Sequence, residues 1–140
     1  MYEFILLGGT ICDPRGRYRT DIAVLNGKIA LLAEDLTQEP AHEKLDVSGT
    51  FILPGCIDSH THLWEPGLMA KPDFEDGTLS AIAGGITTII DHPLTIPEVL
   101  DVEGFDQKRE LGERTSYTDF ALHGGVGLDN QKDLPDLWQA

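Results

Sequence analysis

Two histidines separated by a single residue, His60 and His62, close a strand-like segment of the sequence at residues 56–63. Alternate side chains of a β-strand point to the same face, so this spacing predicts that both imidazoles project together. At the carboxyl end of a barrel strand, where barrel active sites are built, two converging imidazoles suit a divalent metal such as zinc, iron, cobalt or nickel. The bare pattern is also typical of two partly exposed histidines at a strand end, so both interpretations stay open at this point.

Other side chains along the chain could take part in the same chemistry. Trp64 could form the wall of a pocket for a flat ring substrate, or it could simply pack. His123 ends a later strand-like run and is a candidate substrate contact. Asp91 could orient a ligand histidine as a hydrogen-bond acceptor, or cap the loop that begins at His92. His92 and His42 are predicted to be a loop histidine and a surface histidine.

The elements that must position these residues are of two kinds. Short runs of β-forming residues fill the first part of the chain, where Asn26-Gly27 predicts a type I′ hairpin between residues 20–25 and 28–33. After Pro54, strand-like runs alternate with helical stretches, which favours βαβ units and a parallel sheet. Asp73 is the predicted N-cap of the first helix and Gly84 its stop. The predicted strands are 56–63, 86–91 and 117–123, and the predicted helices are 73–83, 101–113 and the unfinished 134–140.

This organisation predicts an α/β chain with a small sheet module at residues 1–53 and about three β/α units at residues 54–140. A closed eight-fold barrel needs about 250 residues, so these units cannot close one. An open sheet of so few strands would also leave a bare edge, which complete proteins usually cover. We therefore expect a fragment of a longer protein or a truncated product.

Composition limits the classes of partner. Acidic residues number 24 against 10 basic ones, and the formal charge is -14, so binding to nucleic acid or to an anionic membrane surface is not expected. No apolar stretch approaches the roughly 20 residues that span a bilayer, and the start of the chain lacks the basic region of a secretory signal. Cys12 and Cys56 are too few for a disulfide framework, which favours the cytoplasm. Small-molecule chemistry or protein contact remains.

Several motifs together resemble a known family. Residues 53–62, which run from Leu53-Pro54-Gly55 to His60-Thr61-His62, resemble the opening signature of the amidohydrolase superfamily. Residues 65–67 (Glu-Pro-Gly), 71–77 and 83–88 are similar to the cyclic amidohydrolases, which include dihydroorotases, allantoinases and hydantoinases. The resemblance extends along nearly the whole chain and is strongest over residues 48–95.

The resemblance implies a small β-sandwich followed by a metal-dependent (β/α)8 barrel, here only its amino-terminal part. It implies a binuclear centre, usually of zinc or another divalent metal, that hydrolyses a carbon–nitrogen bond of a cyclic amide or ureide. His60 and His62 match the first two metal ligands. The family's remaining ligands, a carboxylated lysine and two histidines, and its catalytic aspartate have no position here, so the 140 residues are expected to be inactive alone. Related enzymes are often homo-oligomers.

The resemblance also bears on the substrate. Trp64 stands where dihydroorotases carry an arginine that grips a carboxylate, and Leu94 stands where they carry an asparagine. Pro93-Leu94 and the segment ending at His123 are closer to allantoinases, whereas Lys71 resembles dihydroorotases. Against allantoinases, Trp64 stands where they usually carry an asparagine and His92 where they usually carry a methionine. The resemblance thus predicts an allantoinase-like or dihydroorotase-like enzyme, with the former favoured and with Trp64, Leu94 and His123 near the substrate; hydantoinases rank third, and another cyclic amide or ureide stays open as the substrate.

Two alternatives to an enzyme stay open. Some hydantoinase-like proteins keep the fold as a non-catalytic scaffold for assembly, and a truncated reading frame would have no function of its own. Retention of His60 and His62 favours the enzyme, because a scaffold has no electrostatic reason to hold two imidazoles side by side.

Overall fold

The computed structural model describes residues 1–68 and 73–140, and they divide into two units, Met1–Pro54 and Gly55–Ala140. Strands and helices are both present, in agreement with the predicted α/β class. Lys71, the residue that resembles dihydroorotases, lies outside the described residues. Nowhere in the described ranges does a helix combine the length and apolar character needed to cross a bilayer.

The first unit contains two sheets. Its strands are β1 Tyr2–Leu7, β2 Thr10–Asp13, β3 Gly16–Arg19, β4 Asp21–Leu25, β5 Lys28–Ala33, β6 Ala41–Asp46 and β7 Phe51–Ile52. One sheet has the order β5-β4-β1-β6 and the other has the order β3-β2-β7. Ile11, Ile22 and Val24 form a buried cluster that draws side chains from both sheets. This cluster therefore holds the two sheets of the unit together.

Two hairpins show how far local sequence determines this unit. Asn26 and Gly27 have φ angles of 53° and 67°, so the turn between β4 and β5 has positive φ at both positions, as the type I′ prediction requires. The β2–β3 hairpin was not predicted. It carries a side-chain network in which the Arg15 guanidinium and the Tyr18 hydroxyl donate to the Asp13 carboxylate. The Arg15 contact, foremost, lowers the pKa of Asp13 from 3.8 to about 2.

The second unit alternates strands and helices. Its elements are β8 Cys56–Thr61, α1 Phe74–Ala83, β9 Ile86–Asp91, α2 Val102–Thr115, β10 Asp119–Leu122 and α3 Leu134–Leu137. The strands form one sheet in the order β10-β9-β8, and both pairings are parallel. Leu63, Phe74 and Ile89 form the buried core of this unit. The predicted parallel sheet of βα units is therefore confirmed.

The ends of the helices follow their sequence signals. The Asp73 carboxylate accepts from the Asp76 backbone N–H at 2.8 Å and caps α1, which ends at Gly84. The Asp101 carboxylate caps α2 in the same way through the Gly104 N–H at 2.8 Å. Side-chain caps at these positions each stabilise a helix by about 1 kcal/mol. The two caps therefore fix the residues at which these helices begin.

Several predicted boundaries were wrong: β8 ends at Thr61 rather than at residue 63, β10 ends at Leu122 rather than at residue 123, and α2 ends at Thr115 rather than at residue 113. The third strand begins at Asp119 rather than at residue 117, because the Tyr117 N–H donates to the Thr78 hydroxyl of α1 at 3.0 Å instead of to β9. The last helix ends at Leu137 rather than at residue 140, and the chain then closes with a tighter turn in which the Gln139 N–H donates to the Asp136 carbonyl at 3.0 Å. The earlier ends of β8 and β10 leave His62 and His123 just beyond their strands.

Candidate functional site

Four histidines meet at the carboxyl edge of the parallel sheet. His60 lies near the end of β8 and His62 follows it, while His92 follows β9 and His123 follows β10. The ring centroids of His60 and His92 are 3.9 Å apart, those of His62 and His92 are 5.1 Å apart, and those of His92 and His123 are 4.8 Å apart. We call these residues the histidine cluster.

Backbone hydrogen bonds of the sheet build this edge. The His92 N–H donates to the Thr61 carbonyl at 3.0 Å, and the His123 N–H donates to the Asp91 carbonyl at 2.9 Å. The parallel pairing therefore continues for one residue beyond β9 and β10. Because the carboxyl ends of parallel strands meet at one edge, the residue that follows each strand is brought beside its neighbour.

His60 and His62 converge through their outer ring nitrogens. The two Nε2 atoms are 3.2 Å apart, and the ring centroids are 5.1 Å apart. Nitrogen ligands about 2.0–2.1 Å from a tetrahedral zinc ion are separated by about 3.3 Å, so this pair has the spacing of two such ligands. The two side chains lie together as predicted, although the β8–β9 register shifts between Asp58 and Thr61 and β8 ends at Thr61, before His62.

The pair does not by itself complete a metal site. Over residues 1–68 and 73–140, no group of three or more His, Cys, Asp or Glu side chains is arranged to hold a metal ion. In the same part of the chain, the buried Nδ1 of His62 has no hydrogen-bond partner. A ligating histidine ordinarily donates its second ring N–H to an acceptor, so the described residues supply neither a third ligand nor that acceptor.

His92 is the residue of the cluster that the sequence analysis gave no functional role. It lies in the loop after β9, as predicted, but it is only partly exposed and its ring packs against those of His60, His62 and His123. Desolvation, followed by the neighbouring imidazoles, lowers the pKa of His92 below its ordinary value, while the Asp91 carboxylate acts in the opposite direction. One signal could have revealed its place, because His92 directly follows the last residue of a buried parallel strand.

The other predicted substrate residues differ in how they relate to the histidine cluster. Trp64 stacks on His62 with ring centroids 5.7 Å apart and an interplanar angle of 25°. His123 reaches the cluster through His92 and also lines a largely apolar cavity of about 500 Å³. Leu94 lies in the loop after β9 and is 50% exposed. The structure thus brings Trp64 and His123 to the cluster.

A buried ion pair lies directly behind this edge. Lys108 Nζ of α2 is 2.5 Å from Asp91 Oδ2, and the two side chains are 1% and 0% exposed. Asp91 Oδ1 accepts from the Leu63 N–H at 2.7 Å and from the Thr61 hydroxyl at 3.0 Å. Asp91 therefore binds the end of β8 rather than a histidine ring or its own loop. Lys108 was not singled out from the sequence, because a lone lysine in a polar helix carries no signal of burial.

The loop that follows Trp64 is fastened to the loop after β9. The Ile96 N–H donates to the Pro66 carbonyl at 3.0 Å, and Gly67 has a φ angle of 95°. A Cβ at Gly67 would lie 2.2 Å from the Ile96 carbonyl oxygen, so both the backbone conformation and the close contact require glycine. The Glu-Pro-Gly motif thus has a structural reason in this chain.

Comparisons with known proteins agree with these observations. The sequence profile of the Amidohydrolase family matches residues 51–118. The chain is 41% identical to an allantoinase of Deinococcus radiodurans over 136 residues, which covers 96% of this chain and 30% of that protein. It is 39% identical to a dihydroorotase of Methanosarcina mazei over 119 residues, which covers 85% of this chain and 26% of that protein. The solved structure of L-hydantoinase (dihydropyrimidinase) from Arthrobacter aurescens matches with a TM-score of 0.94 and 31% identity, covering 99% of this chain and 31% of that one.

The chain belongs to the amidohydrolase family. Within that family it is similar to the allantoinases, dihydroorotases and hydantoinases. It spans less than a third of the length of these relatives, between 26% and 31%. The expected resemblance to cyclic amidohydrolases is therefore confirmed for the part of the protein that this chain represents.

Proposed function

We propose that this chain is part of a metal-dependent hydrolase that opens a carbon–nitrogen bond of a cyclic amide or ureide, with His60 and His62 as two metal ligands. The 3.2 Å approach of their Nε2 atoms is the observation that carries this proposal. Two facing imidazole nitrogens at that distance match two corners of a tetrahedral coordination shell. Their place at the carboxyl edge of a parallel sheet is also where barrel enzymes build their sites.

The fold proposal follows from the same similarity. Residues 1–53 correspond to part of a β-sandwich, and residues 54–140 correspond to the first β/α units of a (β/α)8 barrel. The TM-score of 0.94 to an L-hydantoinase and the parallel order β10-β9-β8 support this assignment. Free thiols at Cys12 and Cys56 support a cytoplasmic location.

Zinc is the metal that we propose, because neutral imidazole nitrogens suit it well. A divalent metal held by His60 and His62 would supply Lewis-acid polarisation of a carbonyl and an activated water. The chain's own residues would hold that ion and shape its surroundings. Trp64 offers a flat aromatic face beside His62, and the His123 imidazole lies at the far end of the histidine cluster. Because the described residues lack a third ligand, the chain is proposed to be inactive alone.

The substrate proposal favours an allantoinase-like ureide over dihydroorotate. An apolar Trp64 stacked on His62 cannot form a bidentate pair with a substrate carboxylate. Leu94 likewise offers no hydrogen bond to a polar substrate group. A neutral, flat ring substrate fits these side chains better than an anionic one, and we place Trp64, Leu94 and His123 near it.

Metal binding by the 140-residue chain tests the ligand assignment. Titration calorimetry with Zn²⁺, and the visible absorption of added Co²⁺, would be compared among the wild type, His60→Ala and His62→Ala. Each variant should lose most of the binding, because the facing pair of Nε2 atoms is no longer present. His42→Ala is the matched control, since His42 is an exposed histidine of the other unit and its removal should change nothing. Equal metal binding in all four proteins would remove His60 and His62 as ligands.

An activity panel tests the proposed inactivity. Allantoin, dihydroorotate and hydantoin would each be incubated with the zinc-loaded chain, and ring opening would be followed by chromatography. No turnover above a zinc-only blank is expected. Turnover that survives His60→Ala and His62→Ala would show a different active site in this chain.

A further inference from the structure

We propose that Asp91 and Lys108 are positioning residues that set the spacing of the His60 and His62 imidazoles. The proposal rests on the proposed function for its catalytic meaning, but its physical content concerns side chains of the metal-free chain alone. Both residues are almost completely buried in the second unit, and neither is a metal ligand in the proposed function. They lie behind the carboxyl edge that carries the histidine cluster.

The Asp91 carboxylate binds residues on both sides of His62. Its Oδ1 accepts from the Thr61 hydroxyl at 3.0 Å and from the Leu63 N–H at 2.7 Å. Thr61 separates the two histidines in sequence, and Leu63 directly follows the second one. One oxygen atom therefore fixes the chain immediately before and immediately after the His62 side chain, which would otherwise be free to rotate away past the end of β8.

Lys108 holds that carboxylate in place. Its Nζ lies 2.5 Å from Asp91 Oδ2 and also donates to the His92 carbonyl at 2.8 Å. A buried carboxylate without a cation is costly, so Asp91 keeps this position only while Lys108 faces it. The ammonium group thus connects α2 to the ends of two strands, through Asp91 to β8 and through the His92 carbonyl to the end of β9. We call Asp91 and Lys108, together with their contacts to Thr61, Leu63 and the His92 carbonyl, the clamp.

Two substitutions remove opposite halves of this arrangement. Asp91→Asn replaces one oxygen with an NH₂ group, which must face either the Lys108 ammonium or the donors of Thr61 and Leu63. Either orientation sets a donor against a donor, so one contact of the clamp is lost. Lys108→Met keeps an apolar stem of similar length but leaves the Asp91 carboxylate without its cation. Both changes should release the end of β8.

The direct readout is the contact between the two imidazoles in the metal-free chain. Nuclear Overhauser cross-peaks between the ring protons of His60 and His62 would be recorded for the isotope-labelled wild type and each variant. The wild type should show the ring contact, and both single variants should lose it. Persistence of the contact at wild-type intensity in both variants, or its absence from the wild type, would overturn the proposal.

The double variant supplies a rescue. In Asp91→Asn/Lys108→Met the NH₂ group no longer meets an ammonium, so the introduced amide can turn its oxygen to the donors of Thr61 and Leu63. The ring contact should return, although both charges are gone. A double variant that lacks the contact as fully as the single variants would contradict this account of how the clamp works.

A control separates positioning from general stability. Thr78→Val removes a fully buried hydroxyl that accepts from the Tyr117 N–H at 3.0 Å, away from the residues that bind Asp91. It should lower the stability of the same unit without changing the ring contact. If both charge variants fail to fold, Thr61→Val, which removes one donor to Asp91, takes their place, and it should weaken the ring contact more than Thr78→Val does.

Zinc titration of the same proteins separates the two proposals. Loss of a group bonded directly to a metal ligand typically lowers metal affinity by about 10–100-fold. Asp91 and Lys108 act through the chain on either side of His62, so we expect a decrease near the lower end of that range, about 10-fold, for both single variants. A wild type that shows the ring contact but binds no zinc would refute the ligand assignment and leave the clamp intact. A wild type that binds zinc through His60 and His62, with ring contact and affinity unchanged in the single variants, would refute the clamp alone.

Discussion

Replacing Lys108 with methionine should destabilise the second unit by about 3–5 kcal/mol, because it leaves a fully buried carboxylate without its cation. Asp91 is 0% exposed, so water cannot take over from the ammonium group without opening the structure. The carboxylate keeps its two donors from β8 and its loop, which places the expected loss near the lower end of that range. The His92 carbonyl also loses a hydrogen bond, which adds about 1 kcal/mol.

The double variant Asp91→Asn/Lys108→Met should recover much of this loss. Replacing a buried ion pair as a whole is often neutral, whereas removal of one partner is not. We expect a coupling free energy of about 2–3 kcal/mol between the two sites, the upper part of the range for residues in direct contact. A loss of less than about 1 kcal/mol of unfolding free energy in Lys108→Met would refute this reasoning. So would a double variant whose loss equals the sum of the losses of the two single variants.

Urea unfolding followed by tryptophan fluorescence is the suitable assay. Both tryptophans of the chain, Trp64 and Trp138, lie in the second unit, so the signal reports on the unit that contains the ion pair. Trp138 is 91% exposed and should change little, whereas Trp64 stacks on His62 and should dominate the transition. The free energy of unfolding follows from the midpoint and the slope of the linear extrapolation.

Three further predictions concern the fold. Phe74→Ala should cost about 3–5 kcal/mol in the same assay, while Leu79→Ala on the exposed side of the same helix should stay within about 0.5 kcal/mol; equal losses would contradict the assigned core. Gly67→Ala should cost at least about 1 kcal/mol through positive-φ strain, and unchanged urea stability would contradict it. The Asp13 carboxyl should titrate by NMR near its pKa of about 2, and Arg15→Ala should move it toward 3.8. Because that pKa is lowered on folding, its stabilising contribution is complete above pH 3.8 and is lost as the pH falls toward 2, and an unmoved midpoint would contradict the pairing.

Features that depend on neighbouring residues in the sequence were predictable. Asn26-Gly27 specifies its own backbone angles, and Asp73 and Asp101 cap helices within a few positions of themselves. The His-x-His spacing of His60 and His62 also indicated that the two side chains project together, although β8 ends at Thr61 and the direction of His62 depends on contacts with other elements. Local signals of this kind predicted the type of each element in the second unit.

Features that depend on contact between distant elements were not predictable. Lys108 lies in a helix whose apolar residues are too few to mark an inner face, so only the packing of α2 on the sheet reveals that its side chain is buried. His92 shows the same difficulty, since its surroundings come from two other strands. The β2–β3 hairpin was missed because its short polar strands are stabilised by side-chain bonds around Asp13 rather than by an apolar pattern.

Contacts between distant elements also explain why a short stretch of parallel sheet can bring together an imidazole from each of its strands. The last backbone bonds of the sheet join His92 to Thr61 and His123 to Asp91, so the main chain alone brings the three strand ends together. The main chain does not fix the direction of a side chain beyond the last bond, and His62 is in that position because β8 ends at Thr61. A buried acceptor that binds the residues on either side of His62 supplies the missing constraint, and a carboxylate can occupy that place only beside a buried cation. On the positioning proposal, the buried Lys108 ammonium therefore serves the histidine geometry by keeping the Asp91 carboxylate beside Thr61 and Leu63.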